Sequence, residues 1–384
     1  MTIDPRSRPG SSMTPPRGVS LPTERADDGP IHLPEQLQAI GLTSAMRCHL
    51  QTFAADPEAP FLLRVTAVQR DALTLHDGAG EQPARAMPAL LAGGAALAVG
   101  DWVLASRDRH RQWWAHRRLP PLTELARRLH DGRDKVTRTV IVSNVDTALL
   151  VMGLDQDFNL RRLERYLALA RMSQVGALVV LTKADLCEPA YAERRLHEVF
   201  AVLPPEVDAI ALNALGEEPG QALAPWLDAG QTLVLLGSSG AGKSTLTNAL
   251  LGQAAQDTGP NRSGDSRGRH TTTSRSLHPL PGGACVIDTP GLRTLRLDAD
   301  AGDLQAVFGD IAELAQACRF RDCRHQGEPG CAVREATPPE RLRNYQKLQR
   351  EARRDTMSAL ERRAQLQQWK QRARAARERD RERG

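Results

Sequence analysis

One stretch of the chain decides the fold, and it reads Gly237-Ser238-Ser239-Gly240-Ala241-Gly242-Lys243-Ser244. It matches the phosphate-loop pattern G-x-x-x-x-G-K-[ST], and it lies between a strand-like apolar run at 232–236 and a helix-like segment that starts at Thr245. In such a loop the backbone N–H groups surround the phosphates, the lysine reaches the β- and γ-phosphates, and the serine hydroxyl ligates Mg²⁺. We therefore predict a nucleoside triphosphate site formed by residues 237–245, with Lys243 and Ser244 at its centre.

Short apolar runs on both sides of this loop predict a doubly wound α/β domain. The runs lie at 140–142, 148–152, 177–181, 232–236 and 285–287. Continuous runs of this length are typical of parallel strands that are buried on both faces. The last run is followed by Asp288-Thr289-Pro290-Gly291. We predict that Asp288 lies near Mg²⁺ at a strand end and that the Gly291 N–H contacts the γ-phosphate. The alternative is an ordinary turn.

The base is predicted from Thr182-Lys183-Ala184-Asp185, which resembles the guanine-reading motif N-K-x-D. In that motif the carboxylate accepts hydrogen bonds from guanine N1–H and N2–H₂, and adenine offers no such pair of donors. Asp185 therefore favours GTP over ATP, and the stem of Lys183 covers the base plane. Thr182 replaces the usual asparagine, whose amide braces the base and the phosphate loop. We expect this replacement to lower the affinity for guanine.

The order of these motifs along the chain is unusual. The guanine motif at 182–185 precedes the phosphate loop at 237–244, whereas ordinary GTPases carry the phosphate loop first. The segment 213–215, at the place of a base-flanking loop, also precedes it. We therefore predict a circularly permuted domain, because spatial contacts rather than chain order form the site. Switch II would then run directly into the C-terminal domain and transmit a nucleotide-driven movement to it.

The 384-residue chain divides into four segments by composition and pattern. Residues 1–37 are rich in Pro, Arg, Ser and Asp and predict a disordered leader, because they have too little apolar surface to bury. Residues 38–118 alternate short apolar runs with turn signals and predict a small all-β domain such as a barrel. Residues 119–300 hold the α/β domain. Residues 301–384 lack strand signals and predict a helical domain.

A cluster of metal-binding side chains lies in the C-terminal segment and consists of Cys318, Cys323, His325 and Cys331. Three thiolates and one imidazole complete a tetrahedral Zn²⁺ shell and leave no open position, so we predict a structural zinc site. A disulfide is one alternative, and reduced thiols in the cytoplasm disfavour it. Unrelated free thiols are a second alternative, which the clustering disfavours.

Together these features resemble the RsgA family of bacterial ribosome-associated, circularly permuted GTPases. The resemblance rests on the motif order, on the run Gly268-Arg269-His270-Thr271-Thr272-Thr273 and on the Cys/His cluster, and it covers nearly everything from about residue 38 to the end. It implies an N-terminal OB-fold barrel, a central permuted P-loop GTPase and a C-terminal zinc-binding helical domain.

The resemblance also implies roles and partners. In the family, one threonine of the run 271–273 reaches Mg²⁺ and the γ-phosphate, and the sequence does not select which of Thr271, Thr272 and Thr273 it is. Thr272, Lys243 and His270 are the catalytic candidates, because the histidine before the run takes part in hydrolysis in the family. Leu292 replaces the glutamine that positions water in many GTPases, so slow intrinsic turnover is expected. The implied function is late assembly of the small (30S) ribosomal subunit. The GTP form would bind the subunit and its rRNA, and hydrolysis would release it.

Charge supports an RNA partner but leaves other functions open. The net charge is +5, and the segment from Arg341 to the end contains 15 Lys or Arg against 6 Asp or Glu. Basic and aromatic residues also alternate at 107–118, as on single-stranded nucleic-acid surfaces, although core tryptophans beside solvated arginines explain that pattern equally well.

One alternative function is a nucleotide-regulated switch on another RNA, with incidental hydrolysis. A second is a P-loop ATPase. No apolar stretch reaches the roughly 18 residues of a membrane span, and we expect a cytoplasmic monomer.

Overall fold

The computed structural model describes residues 31, 33–69, 72–92, 96–130, 136–252, 275–289, 304, 307–356 and 367. Within these residues the strands form one 11-stranded sheet and a separate two-stranded hairpin. One end of the large sheet closes into a barrel, and the other end is open and mostly parallel. Among the described helices, none is long and apolar enough to cross a membrane.

The N-terminal part of the chain forms a closed five-stranded barrel, which confirms the predicted all-β domain. The elements are helix α1 (Ser44–Leu50), strands β1 (Phe61–Val68), β2 (Leu73–His76) and β3 (Glu81–Ala86), helix α2 (Pro88–Ala92), and strands β4 (Trp102–Arg107) and β5 (Trp113–Arg118). The strand order is β1-β2-β3-β5-β4, and antiparallel pairing of β4 with β1 closes the barrel. Alternate side chains such as Leu63, Val65 and Val103 fill its interior because successive strand residues face opposite sides.

A hairpin connects the barrel to the α/β domain. It consists of β6 (Glu124–His130) and β7 (Val136–Ser143), which pair in antiparallel fashion with Leu125 opposite Val142. The prediction that 140–142 forms a strand of the parallel sheet is therefore wrong. Ile141 and Val142 are buried, but a short apolar run reports burial and does not report the direction in which a strand pairs.

The open end of the sheet has the order β10-β9-β8-β11-β13-β12. Its strands are β8 (Thr147–Gly153), β9 (Gly176–Thr182), β10 (Asp208–Ala211), β11 (Thr232–Leu236), β12 (Ser276–Pro279) and β13 (Cys285–Asp288). All are parallel except β12, which pairs in antiparallel fashion with β13 and with β1 of the barrel and so connects the two ends of the sheet. Four of the five predicted runs are thus strands of this sheet. The neighbours Leu149 and Leu150 belong to different buried clusters, because they point to opposite faces of β8.

Helices cover this sheet and connect its strands. They are α3 (Leu160–Met172), α4 (Pro189–Phe200), α5 (Glu218–Ala222) and α6 (Lys243–Leu251). Asn159 caps α3 by accepting a hydrogen bond from the Arg162 N–H at 3.1 Å. The crossover β8-α3-β9 joins two neighbouring parallel strands, as in other doubly wound sheets.

The C-terminal part is helical, as predicted. It contains α7 (Gly309–Gln316), α8 (Ala332–Ala336) and α9 (Pro339–Thr356). Leu342, Tyr345 and Leu348 recur every three residues and are buried on one face of α9, where the Tyr345 ring lies 5.1 Å from that of Phe308. This face completes the same buried cluster to which Leu163 and Leu167 of α3 belong.

The described part of the chain includes the end of the predicted leader 1–37. Ile31, Leu33 and Leu37 are buried, and a 3₁₀ helix spans Glu35–Ile40. Composition missed this segment because its few apolar residues are buried by parts of the chain that are distant in sequence. Residues 1–30 lie outside the described part.

A buried arginine joins the barrel to the α/β sheet. Arg64 on β1 donates hydrogen bonds to Ile40 O, to Thr232 Oγ1 at 2.9 Å and to Asn144 O at 2.9 Å. Burial lowers the pKa of Arg64 from its ordinary value. Gly41 leaves room for the guanidinium, since a Cβ there would lie 1.6 Å from Arg64 Nη1. This contact orients the barrel against β11, the strand that leads into the phosphate loop.

Candidate nucleotide and metal sites

The phosphate loop runs from the end of β11 to the start of α6. Ser239 and Gly240 form its exposed tip, Ala241 is buried, and Lys243, Ser244 and Thr245 make up the first turn of α6. A Cβ on Gly237 would lie 2.4 Å from Val151 O, so this loop packs against β8 more closely than any other residue would allow. Gly242 adopts a φ of 91° immediately before the helix. The loop therefore leads directly into the N-terminus of α6, where the unpaired backbone N–H groups of a helix favour an anion.

Lys243 is held at the mouth of the loop. Its Nζ donates hydrogen bonds to Gly237 O at 3.1 Å and to Ser238 O at 2.7 Å. Burial lowers the pKa of Lys243, and the nearby carboxylates of Asp288 and Asp157 act in the opposite direction. A cation that is withdrawn from water beside backbone carbonyls is well placed to turn toward a phosphate, because a phosphate is the stronger acceptor.

Ser244 and Asp288 meet where Mg²⁺ is predicted. The Ser244 hydroxyl donates to Asp288 Oδ2 across 3.4 Å, and Asp288 pairs with Leu235 in the register of the parallel strands β13 and β11. Thr289 Oγ1 donates to Leu235 O at 2.6 Å, which fixes the chain just after Asp288. A hydroxyl and a carboxylate are the oxygen donors that Mg²⁺ prefers, so the residues present fit this ion.

Thr182 retains part of the function that sequence analysis expected to be lost. Its Oγ1 donates a buried hydrogen bond of 2.7 Å to Ala241 O in the phosphate loop. The threonine hydroxyl thus supplies a contact with that loop, and the lower guanine affinity expected without the asparagine amide stays a prediction. A threonine hydroxyl is shorter than an asparagine amide, but β9 lies close enough to the loop for the hydroxyl to reach, and Gly242 leaves space beside it.

We expect Thr182→Val to weaken GDP binding roughly five- to tenfold, because it leaves the buried Ala241 carbonyl without its donor at nearly constant volume. Equilibrium titration with a fluorescent GDP analogue measures this effect. Thr182→Ser should retain most of the affinity. Thr247→Val is the matched control, since the hydroxyl of Thr247 is buried on α6 and has no hydrogen-bond partner among the described residues. Unchanged affinity in Thr182→Val would contradict the bracing role.

The remaining guanine-motif residues lie at the carboxyl end of β9. Lys183 has a left-handed φ of 65°, and its Nζ forms an ion pair with Asp155 Oδ2 at 2.7 Å. Asp185 is exposed in the short 3₁₀ helix Ala184–Leu186 and lines an open cavity. The 213–215 loop lies beside it, because Ala184 N–H donates to Leu212 O at 3.3 Å. An exposed carboxylate at the rim of a cavity is consistent with reading a base edge.

Several predicted residues lie outside the described part of the chain. They are His270, Thr271, Thr272, Thr273 and Gly291.

Sequence analysis missed one acidic loop at this site. Asp155 and Asp157 follow β8 and contact Lys183 and Ser238, respectively. The signal was present, because polar residues directly after a buried strand at the carboxyl edge of a parallel sheet are candidates for a site. Without the strand order, however, the sequence does not show that β8 lies next to β11, the strand that leads into the phosphate loop.

The four predicted metal ligands converge in the C-terminal part. Cys318 Sγ lies 3.7 Å from His325 Nδ1 and 4.0 Å from Cys331 Sγ, and all four ligand atoms lie within 4.8 Å of one another. His325 adopts a φ of 58°, and this turn brings its ring back toward the thiols. The group joins the start of α8 to the end of α7, since Cys331 directly precedes α8.

The geometry of this cluster fits zinc better than a disulfide. Zn–S bonds of about 2.3 Å in a tetrahedron place sulfur atoms roughly 3.8 Å apart. The separation of 4.0 Å between Cys318 Sγ and Cys331 Sγ is close to that value and far from the roughly 2.05 Å of a disulfide bond. Donor set and spacing are both compatible with one structural Zn²⁺.

The strand order defines the class of protein. The guanine-motif strand β9 comes before the phosphate-loop strand β11 in the chain, yet both lie in one parallel sheet with only β8 between them. This is the arrangement of a circularly permuted P-loop GTPase.

A family model described as RsgA GTPase matches residues 122–298. A protein of Opitutus terrae named small ribosomal subunit biogenesis GTPase RsgA is 45% identical over 336 residues, which are 82% of this chain and 89% of that protein. The chain belongs to the RsgA GTPase family.

Other known proteins agree with this assignment. A Xylella fastidiosa protein of the same name is 49% identical over 261 residues, covering 66% of this chain and 75% of its own length. The crystal structure of YjeQ from Thermotoga maritima superposes with a TM-score of 0.55 at 23% identity, over 76% of this chain and 98% of that one. YloQ, described as a circularly permuted GTPase, gives a TM-score of 0.51 at 23% identity, over 78% of this chain and 96% of its own. These two structures support the three-part fold.

Proposed function

We propose that this protein is a GTP hydrolase that assists late assembly of the small ribosomal subunit. It would bind the subunit and its rRNA in the GTP state and leave after hydrolysis. The observation that carries the proposal is the convergence of a phosphate loop, an Mg²⁺ corner and a guanine motif in permuted order, in a chain whose relatives are named small ribosomal subunit biogenesis GTPases.

The residues divide the chemistry as follows. Gly237 to Thr245 hold the phosphates, Lys243 neutralises the β- and γ-phosphates, and Ser244 with Asp288 holds Mg²⁺, which supplies charge neutralisation on the transferred phosphoryl group. Thr182, Lys183 and Asp185 hold the guanine. His270, Thr272 and Gly291 act on the γ-phosphate side. An imidazole at His270 suits the orientation or deprotonation of water at neutral pH.

The barrel offers cations for an RNA backbone. Arg107, Arg109, Arg111 and Arg117 are exposed on or beside β4 and β5. Arg118 does not belong to this surface, because it forms ion pairs with Asp101 and Glu124 at 2.8 and 2.7 Å. Trp113 is buried against Phe61 with ring centroids 5.2 Å apart. Trp113 is therefore not available to stack on a base, and the exposed arginines supply phosphate contacts. The neighbouring Trp114 is only half-buried.

The other parts of the proposal follow the family. Residues 301–384 would be held together by Zn²⁺ and would present a second basic region to the subunit, while residues 38–118 and 119–300 form the barrel and the GTPase. We infer a monomer that works in the cytoplasm.

Hydrolysis of GTP by the purified protein tests the function. We expect slow turnover of GTP alone, little turnover of ATP, and strong stimulation by isolated small subunits but not by large subunits. His270→Ala should bind GTP normally and lose much of the stimulated rate.

The possible outcomes separate the candidate functions. Selective GTP binding without stimulation by either subunit would contradict the ribosomal role and favour a switch on another RNA. Equal turnover of ATP and GTP would contradict the role of Asp185. Loss of GTP binding in His270→Ala would assign that residue a structural role.

A further inference from the structure

The loop between β8 and α3 contacts both halves of the nucleotide site. On the base side, Asp155 Oδ2 forms an ion pair with Lys183 Nζ at 2.7 Å. On the phosphate side, Asp157 Oδ1 accepts a hydrogen bond from the Ser238 hydroxyl. Neither carboxylate belongs to the phosphate loop or to the guanine motif. The loop is therefore placed to set the relative position of the two motifs.

Asp157 is tightly held by its surroundings. Its Oδ2 accepts the Gly153 N–H at 3.2 Å, and its Oδ1 pairs with Arg162 Nη2 at 2.5 Å. Only 14% of its side chain is exposed. Ser238 is held from both sides, because its hydroxyl donates to Asp157 while its carbonyl accepts from Lys243 Nζ at 2.7 Å. Ser238 is thus the point at which the phosphate loop is fixed to the neighbouring segment.

That segment is continuous with a helix that the C-terminal part immobilises. Arg162, the partner of Asp157, lies in the first turn of α3. Two residues further on, Glu164 is buried and accepts hydrogen bonds from Arg341 and Asn344 of α9. Arg165 forms an ion pair with Glu351 of α9 at 2.8 Å. The N-terminal part of α3 is therefore fixed to α9 by two ion pairs, Glu164–Arg341 and Arg165–Glu351.

We propose that Asp157 is a positioning residue for the phosphate loop. It acts through Ser238 and holds the loop at a fixed place relative to α3 and, through α3, to the C-terminal helix α9. The contacts of Asp157 that carry this role are those with Ser238, Gly153 and Arg162. The proposal rests on the guanine-nucleotide site of the proposed function and is independent of the ribosomal partner.

The role has a specific consequence for affinity. A mispositioned phosphate loop loses contacts with the β-phosphate, whereas the base contacts of Asp185 remain. Removing Asp157 should therefore weaken GDP binding more than GMP binding. A general loss of structure would weaken both equally.

The experiment measures Kd for GDP and GMP in the full-length protein. We expect about tenfold weaker GDP binding in Asp157→Ala, as for loss of a hydrogen bond to a charged group, and a much smaller change for GMP. Asp157→Asn keeps an acceptor for Ser238 but loses the ion pair with Arg162, so its GDP affinity should lie between those of the wild type and Asp157→Ala. Ser238→Ala removes the same contact from the other side, and the double variant should be no weaker than Asp157→Ala alone.

The control is Glu206→Gln, which removes an exposed ion pair with Arg171 at the other end of α3 and should leave both affinities unchanged. Wild-type GDP affinity in Asp157→Ala, equal losses for GDP and GMP, or additive effects in the double variant would each overturn the proposal. If Asp157→Ala fails to fold, Ser238→Ala and Asp157→Asn test the proposal in its place. In each, the Kd for GDP should rise more than the Kd for GMP. A wild-type protein that does not bind GDP would instead overturn the proposed function.

Discussion

Lys243→Ala is expected to abolish GTP hydrolysis, with a loss of at least about 100-fold in turnover. The ammonium group is buried in the phosphate loop and held by the carbonyls of Gly237 and Ser238, from which it can reach a bound phosphate. Alanine leaves the negative charge that develops on the phosphoryl group without its nearest side-chain cation. Release of phosphate under multiple turnover, with and without small subunits, measures the effect.

The variant should remain folded, because removal of a desolvated cation from the loop does not disturb the sheet. Lys347→Ala is the matched control for intrinsic turnover, since Lys347 is exposed on α9. Unchanged hydrolysis in Lys243→Ala would refute the assignment of the phosphate site.

Removal of the metal is expected to unfold the segment around the Cys/His cluster. We predict that the purified protein carries one Zn²⁺ per chain and that Cys331→Ser loses it. The segment between α7 and α9 has few buried apolar side chains of its own, so metal binding supplies much of its folding free energy. Zinc content, far-UV circular dichroism and limited proteolysis measure this loss, and we expect new cleavage between residues 317 and 338.

Cys48→Ser is the control for this prediction, because Cys48 is exposed and lies outside the cluster. It should retain both zinc and protease resistance. GDP binding should survive chelation, since the nucleotide site lies in the sheet and the cluster contributes no residue to it. A Cys331→Ser protein with full zinc content and unchanged proteolysis would contradict the structural role of the cluster.

Local motifs account for the parts of the site that sequence analysis recovered. The phosphate loop, the guanine motif and the Cys/His cluster each lie within a short span, and the chemistry of a short span can be read without knowing the fold. The apolar runs at 148–152, 177–181, 232–236 and 285–287 likewise predicted strands, because a strand buried on both faces needs continuous apolar sequence.

The errors have a common cause. The run at 140–142 belongs to a hairpin, and Leu33 and Leu37 are buried although they lie in the predicted leader 1–37. The hydrogen bond from Thr182 to Ala241 O was likewise not anticipated. Each depends on what lies opposite the residue in space. A local sequence pattern indicates burial and secondary-structure propensity, but it does not identify the residues that a segment packs against or pairs with.

The sequence by itself determined the pattern of a phosphate loop, a preceding segment that resembles the guanine motif, their permuted order and a Cys/His cluster with ligands suited to zinc, since each is defined by residue type and spacing. Only the tertiary structure decided that Ser244 contacts Asp288 and that Thr182 contacts Ala241. It also decided that Asp157 contacts both Ser238 and Arg162 of α3, the helix that packs against α9. The reason is physical: a hydrogen bond across many residues exists only once packing of the sheet has brought its two atoms within about 3 Å.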